Sequence, residues 1–86
     1  MYFIYILQSE KDKSFYIGQT NDLANRLSRH NNGEVKSTKH KIPLKIVISE
    51  SYQIRSEAMQ REKYLKSLKS GNEFKKILKN WGVAKW

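Results

Sequence analysis

The chain carries two phenols, a guanidinium, an imidazole and one carboxylate in an order that suggests chemistry. Tyr5 and Tyr16 belong to two short apolar segments, and Arg26 and His30 follow four residues apart. Glu62 interrupts the apolar stripe of a later predicted helix. Together these are the groups needed to cut a phosphodiester bond around a single metal ion. The ordered set therefore predicts a nuclease-type site.

Four of these residues also have ordinary structural interpretations. A tyrosine in a strand is usually a packing residue, and a catalytic Tyr5 or Tyr16 needs a phenol pKa lowered from about 10. Such a phenolate takes a proton from the attacking water. Arg26 suits the charge developing on a phosphate, although the default is a solvated helix residue. His30 either relays protons or has no task beyond its place near a helix end.

Glu62 is the most diagnostic position, because an unpaired carboxylate against apolar side chains costs several kcal/mol. One interpretation is a structural ion pair, with Arg26, Arg55 or Arg61 as the partner. The other is a metal ligand, since Mg²⁺ often takes only one or two protein carboxylates and completes its shell with water and phosphate oxygens. The residues alone leave both open.

The composition favours a polyanionic partner. The chain of 86 residues has a net charge of +9, and the excess is larger in its second half. Such a field attracts nucleic acid, although the same lysines are also expected on solvated helix faces. Gly18 either serves a turn or lets a nucleic-acid backbone approach closely. The predicted nucleic-acid-binding set is Gly18, Asn21, Lys36, Lys39, Lys41, Lys63 and Lys66.

Size and cysteine content limit the remaining classes. One domain over residues 1–86 is expected from the length. The absence of cysteine excludes disulfides and thiolate metal sites and fits a reducing cytoplasm. No segment approaches the ~20 apolar residues of a membrane span.

Three segments predict strands. Tyr2–Leu7 is apolar at every position, which is typical of a central strand covered on both faces. Phe15–Gln19 follows after a charged turn and predicts a β-hairpin, and Leu44–Ile48 predicts a third strand after a basic loop.

Three further segments predict helices. In the first, Thr20 or Asn21 is the expected N-cap, and Leu23 and Leu27 form a buried stripe that Arg26 and His30 border. Ser56 is the expected cap of the second, whose inward positions are Ala58 and Leu65, with Met59 and Leu68 on the flanks. The third begins near Asn72, with Phe74, Ile77, Leu78 and Trp81 on one face. The predicted fold is α/β in the α+β sense, a three-stranded antiparallel sheet flanked by helices in the order β-β-α-β-α-α.

The pattern resembles the GIY-YIG nuclease superfamily, and more closely its small stand-alone bacterial members. Phe3-Ile4-Tyr5 and Tyr16-Ile17-Gly18 stand where the two name-giving motifs would be. The likeness covers residues 2–70 and includes Tyr2–Leu7, Phe15–Leu23, Arg26-Leu27, His30-Asn31, Thr38-Lys39 and Glu57–Lys63. Phe3 replaces the glycine of the first motif, and the region of a late family asparagine offers Asn72.

The resemblance implies metal-dependent cleavage of nucleic acid with one Mg²⁺ or Mn²⁺ ion. By resemblance Tyr5 and Tyr16 are the motif tyrosines, Arg26 and His30 are the helix pair, and Glu62 is the metal-binding glutamate. The implied partner is nucleic acid, expected to be DNA in repair or processing, with no membrane. Specificity would come from a protein partner or a homodimer. The alternative function is a weakly active or inactive basic module that binds DNA or RNA.

Overall fold

The computed structural model describes residues 1–69 and 71–80. Its elements follow the predicted order β-β-α-β-α-α, and Trp81 lies outside the described residues. The elements are β1 (Tyr2–Ser9), β2 (Phe15–Thr20), α1 (Leu23–Asn31), β3 (Leu44–Tyr52), α2 (Arg55–Leu68) and α3 (Asn72–Asn80). No helix in this part of the chain is long and apolar enough to cross a membrane.

The sheet is antiparallel with strand order β2-β1-β3, so the continuously apolar β1 is central as predicted. One face packs against α1 and carries Tyr5 and Leu7, and we call it the first face. The second face carries Ile4 and Ile6 and packs against α2 and α3. Burial of alternate residues of β1 on both faces explains why this strand lacks a polar side.

An irregularity in β3 lets this strand supply both layers of the core. The pairing with β1 shifts between Ile6 and Leu7, so that Ile48 lies opposite Ile6 whereas Ile46 lies opposite Leu7. One extra residue in a strand reverses the facing of the side chains beyond it. Ile46 therefore packs on the first face and Ile48 on the second. The strand also extends to Tyr52 instead of ending at Ile48 as predicted.

Both predicted helix caps were placed incorrectly. Asp22 is the N-cap of α1, because its carboxylate accepts the backbone N–H of Asn25 at 3.1 Å, whereas Thr20 and Asn21 precede the cap. Helix α2 has Ile54 as its N-cap without a side-chain hydrogen bond, and Ser56 lies inside the helix. Local sequence shows which residues can cap, but tertiary packing decides where the helix begins.

The long connection between α1 and β3 is anchored by a side-chain amide. Asn31 donates from Nδ2 to the Leu44 carbonyl at 3.0 Å and accepts the Leu44 N–H on Oδ1 at 2.7 Å. This pair imitates a strand pairing and fixes the start of β3 against the end of α1. The loop between them is therefore held at both ends, and it places Thr38 beneath α1.

Candidate active site

The Tyr5 hydroxyl is the centre of a buried polar cluster on the first face. Arg26 Nε donates to Tyr5 Oη at 3.3 Å, and Tyr5 Oη lies 3.1 Å from His30 Nε2. His30 is fully buried, and its other ring nitrogen, Nδ1, lies 2.7 Å from Thr38 Oγ1. Thr38 is buried as well. Four residues from β1, α1 and the following loop thus form one continuous chain of hydrogen bonds.

The direction of this chain follows from the donors available. Because the Arg26 guanidinium donates to Tyr5 Oη, the phenolic hydrogen is free to donate to His30 Nε2. Nδ1 then carries the imidazole hydrogen and donates to Thr38, whose hydroxyl turns toward the Val35 carbonyl at 3.5 Å. We infer that His30 is the neutral Nδ1 tautomer, with a basic nitrogen facing Tyr5.

Electrostatics keep this cluster uncharged apart from Arg26. Burial lowers the pKa of His30 below 6.5, and the positive charges of Arg26 and Arg29 lower it further. Burial raises the pKa of Tyr5 above 10.0 against the opposing hydrogen bond from Arg26, and the fields of Tyr16 and Glu62 raise it too. For Tyr5 this direction is opposite to the lowered phenol pKa that a preformed phenolate needs.

Tyr16 completes the aromatic part of the site. Its ring centroid lies 6.4 Å from that of Tyr5 and 5.1 Å from that of His30. The pKa of Arg26 is raised, first by its hydrogen bond to Tyr5 and then by the fields of both phenols and a hydrogen bond to Tyr16. Unlike Tyr5, Tyr16 is only half-buried. It is therefore the phenol of the pair that is more open to a ligand.

Gly18 has a role that the sequence did not reveal. It pairs with Tyr5 across β1 and β2, and the Tyr5 ring occupies the space where a side chain would stand. A Cβ at this position would lie 2.5 Å from Tyr5 Cζ, well inside contact distance. The absence of a side chain at Gly18 is thus needed for the orientation of Tyr5, and not for a turn.

Glu62 lies on α2, partly buried, and its negative charge acts on Tyr5. Its carboxylate pairs with Lys66 one helical turn later, with Nζ to Oε2 at 2.9 Å. Of the three arginines predicted as partners, Arg61 instead pairs with Glu50 at 2.9 Å. An ion pair at Glu62 therefore exists, but its partner is Lys66 and not one of these arginines.

One carboxylate of this kind fits a magnesium-type ion. The lysine that pairs with Glu62 is 54% exposed, and such pairs contribute only about 0.2–1 kcal/mol, so a cation can displace it. Within residues 1–69 and 71–80, no group of three or more His, Asp or Glu side chains is arranged as a metal site. The donor set thus suits an ion that keeps most of its waters and takes phosphate oxygens, as Mg²⁺ does.

The remaining predicted residues are spread over the surface. Asn21 lines a cavity of about 360 Å³ at the end of β2, together with Arg55 and Gln19, whose buried Nε2 has no hydrogen-bond partner within the described residues. Lys36 and Lys39 are exposed on either side of Thr38, and Lys63 is exposed on α2. Lys41 lies near Asp12, with 3.9 Å between Nζ and Oδ2. Asn72 is exposed at the start of α3.

Comparison with known proteins gives a family match over most of the chain. The model of the GIY-YIG catalytic domain matches residues 1–76. The chain belongs to the GIY-YIG family. This membership confirms the resemblance drawn from the motifs over residues 2–70, and a nuclease-type domain follows from it.

The relatives are small bacterial proteins. The chain is 43% identical to UPF0213 protein YazA of Bacillus subtilis over 68 residues, which cover 78% of this chain and 68% of the relative. It is 44% identical to UPF0213 protein CPE1444 of Clostridium perfringens over 69 residues, 79% of this chain and 73% of the relative. A Streptococcus pneumoniae UPF0213 protein is 33% identical over 94% of both chains. No solved structure matches significantly.

Proposed function

We propose that this GIY-YIG protein is a divalent-metal-dependent endonuclease that hydrolyses phosphodiester bonds in nucleic acid, with DNA in repair or processing as the expected substrate. The observation that carries the proposal is the position of the Tyr5 hydroxyl between Arg26 Nε and His30 Nε2. A phenol held only for packing needs no buried imidazole behind it, whereas a proton relay does.

In the proposed reaction Tyr5 and His30 act as one base. The attacking water gives a proton to Tyr5 Oη as the phenolic proton passes to His30 Nε2. Because both transfers occur together, Tyr5 never has to exist as a free phenolate, and its raised pKa is no obstacle. Thr38 accepts from Nδ1 and holds the imidazole in the tautomer that leaves Nε2 basic.

Arg26 and Tyr16 contact the phosphate in this proposal. The guanidinium keeps its charge at any pH near neutrality, since hydrogen bonding to Tyr5 raises its pKa further. Its fork suits the charge that grows on the non-bridging oxygens. Tyr16 is half-buried beside it and donates a hydrogen bond to the same group.

Glu62 would hold one Mg²⁺ or Mn²⁺ ion, and the bound ion would polarise the scissile phosphate and stabilise the leaving oxygen. On binding, Lys66 leaves its ion pair with Glu62 and becomes free to contact a neighbouring phosphate. Asn21, Lys36, Lys39 and Lys63 are the further contacts proposed for the strand, and a protein partner or homodimer would supply specificity. The cysteine-free chain would act in a reducing cytoplasm.

One observation favours a binding module without cleavage as the second candidate. Glu62 is held by Lys66, and a single carboxylate binds a metal ion weakly until phosphate oxygens complete the shell. In that case the basic surface binds DNA or RNA with a steep dependence on salt, and Arg26→Ala behaves like any lost phosphate contact.

Cleavage of supercoiled and branched DNA in Mg²⁺ or Mn²⁺, compared with the same reactions in EDTA, tests the proposal. Glu62→Gln should slow metal-dependent cleavage by about 10²-fold or more. Glu73→Gln is the matched control, because Glu73 also pairs with a lysine on its own helix, Lys76 at 3.5 Å. Equal cleavage rates for the two variants would reject Glu62 as the metal ligand. Binding without cleavage in all metals would reject the enzyme and favour the binding module.

A further inference from the structure

A second basic site lies on the second face of the sheet, away from Tyr5 and His30. It is a cavity of about 510 Å³, within the range of roughly 300–1,000 Å³ found for small-molecule sites. We call it the lysine pocket. The residues that define it are Lys13, Lys41, Lys69, Lys75, Phe15 and Phe74, all of which line the cavity.

The four lysines of the pocket are brought together by the fold and not by one helix. Lys13 comes from the β1–β2 loop, Lys41 from the loop before β3, Lys69 from the end of α2 and Lys75 from α3. None of the described residues that line the cavity is acidic, although Asp12 lies 3.9 Å from Lys41 beside it. Like charges converging from four segments repel one another, and an anion at their centre relieves that repulsion.

The electrostatics of Lys69 are consistent with this repulsion. Partial desolvation lowers the pKa of its ammonium group, and the positive charges of Lys41 and Lys66 lower it further. A solvated lysine on a helix surface avoids such neighbours at little cost, because its long side chain swings freely into water.

Part of the lining of the pocket is aromatic. The Phe15 and Phe74 rings meet edge to face with centroids 5.7 Å apart, and Phe15 is partly exposed whereas Phe74 is buried. An aromatic surface surrounded by ammonium groups is the arrangement that holds a nucleobase by stacking and its phosphate by charge. In a duplex the base faces are occupied by their neighbours, so only an unpaired base can use it.

We propose that the lysine pocket binds a nucleotide with an unpaired base, either within a single strand of nucleic acid or as a free nucleotide. Phe15 stacks on the base, and Lys69 and Lys75 hold the phosphates. Phe15 and Tyr16 are consecutive in the edge strand β2 and point to opposite faces. A single strand leaving a branch point can therefore pass over this edge while duplex lies against the half-buried Tyr16 on its other side.

Binding in EDTA tests this site separately from cleavage. The probes are a labelled single strand of about eight nucleotides, the blunt duplex of the same sequence, a mononucleotide as competitor and a polyglutamate peptide. The wild-type protein should bind the single strand more tightly than the duplex. Lys75→Ala should weaken this binding roughly three- to tenfold and reduce the log–log salt slope by about 0.7. Because this binding is measured in EDTA, it is expected even if no cleavage is ever found.

Lys76→Ala is the matched control, because Lys76 is the next residue of α3, equally charged and exposed, and pairs with Glu73 outside the pocket. Phe15→Leu should weaken single-strand binding about fivefold or more without changing the salt slope. Competition by the mononucleotide identifies a free nucleotide as the ligand, and its absence identifies the strand. Equal losses from Lys75→Ala and Lys76→Ala, or polyglutamate binding as tight as that of the strand, would overturn the proposal. If Phe15→Leu fails to fold, the two lysine variants decide alone.

Discussion

Gly18 lies directly opposite Tyr5 in the β1–β2 pairing, and the Tyr5 phenol fills the space of the missing side chain. The second motif of the family signature thus supports the tyrosine of the first. The relationship makes the position of the phenol depend on the smallest residue of the strand next to it. It also connects the fold to the site, because the same pairing that builds the sheet orients the hydroxyl toward Arg26 and His30.

Gly18→Ala should therefore reduce both stability and activity. Its Cβ would meet Tyr5 Cζ at 2.5 Å, and overpacking of this kind costs about 1–3 kcal/mol. Gly33→Ala is the comparison, because that glycine has φ of +78° with open space around it and its replacement affects stability alone. Thermal melts measure the loss of stability. Cleavage rates measured below the melting transitions of both variants show the loss of activity separately. A Gly18→Ala protein with normal cleavage would show that the Tyr5 position is not critical.

Stability should fall as the pH drops below about 6.5, because His30 is buried as a neutral imidazole. Its folded-state pKa is lowered from 6.5, so the unfolded state binds more protons in the window below 6.5 and stability rises with pH there. The slope should approach, but not exceed, about 1.4 kcal/mol per pH unit. Urea unfolding between pH 5 and 7.5 measures it.

The other histidine, His40, is exposed and provides the control for this pH dependence. His40→Gln should keep the wild-type slope, whereas His30→Gln should be less stable and nearly independent of pH in the same window. If the slope survives in His30→Gln, the buried imidazole is not its source.

The two tyrosines should differ in the pH dependence of cleavage. Tyr5→Phe removes the hydroxyl that connects water to His30, so the rate should fall by about 10²–10⁴ and the residual activity should lose its decline at acid pH. Tyr16→Phe leaves the relay in place and should retain that decline. Single-turnover rates from pH 5 to 8 distinguish them. If the cleavage rate of Tyr5→Phe declines at acid pH as the wild-type rate does, the base is a different residue.

Lys66→Ala should increase the affinity of the free protein for Mn²⁺. Without this lysine, the incoming ion no longer has to break a half-exposed ion pair with Glu62. The free energy of that pair corresponds to an affinity gain of about 1.5- to 5-fold. Lys63→Ala removes the same charge from an exposed position on α2 and is the control. Calorimetric titration with Mn²⁺ measures both. A gain shared equally by the two variants would indicate a general charge effect.

The arrangement of elements was predictable because it depends on hydrophobic patterns. The uninterrupted apolar run of β1 indicates a central strand, and the spacing of Ala58 and Leu65 indicates the buried side of α2; both were confirmed. Met59, placed on the flank of that stripe, is 52% exposed. The shift that turns Ile48 to the second face left no local signal, since it arises from pairing with β1.

Contacts between segments that are far apart in the chain could not be predicted from the sequence. Thr38 stands among lysines in a loop, and only the fold shows that it lies behind His30. Arg61 was a plausible partner for Glu62, but it pairs with Glu50 of β3. The lysine pocket likewise depends on four segments that are far apart in the chain. Residue types predicted the chemistry, whereas the hydrogen-bond partners required coordinates.

Crystals soaked in Mn²⁺ and measured at the manganese absorption edge would show whether Glu62 holds a metal ion beside Tyr5. We expect one anomalous peak about 2.1 Å from a Glu62 carboxylate oxygen, with Lys66 displaced from the ion pair that it forms at 2.9 Å. The peak should lie on the side of Glu62 that faces Tyr5. A Glu62–Lys66 pair that stays intact at saturating Mn²⁺ in the presence of a nucleic-acid strand, with manganese bound elsewhere or not at all, would contradict it.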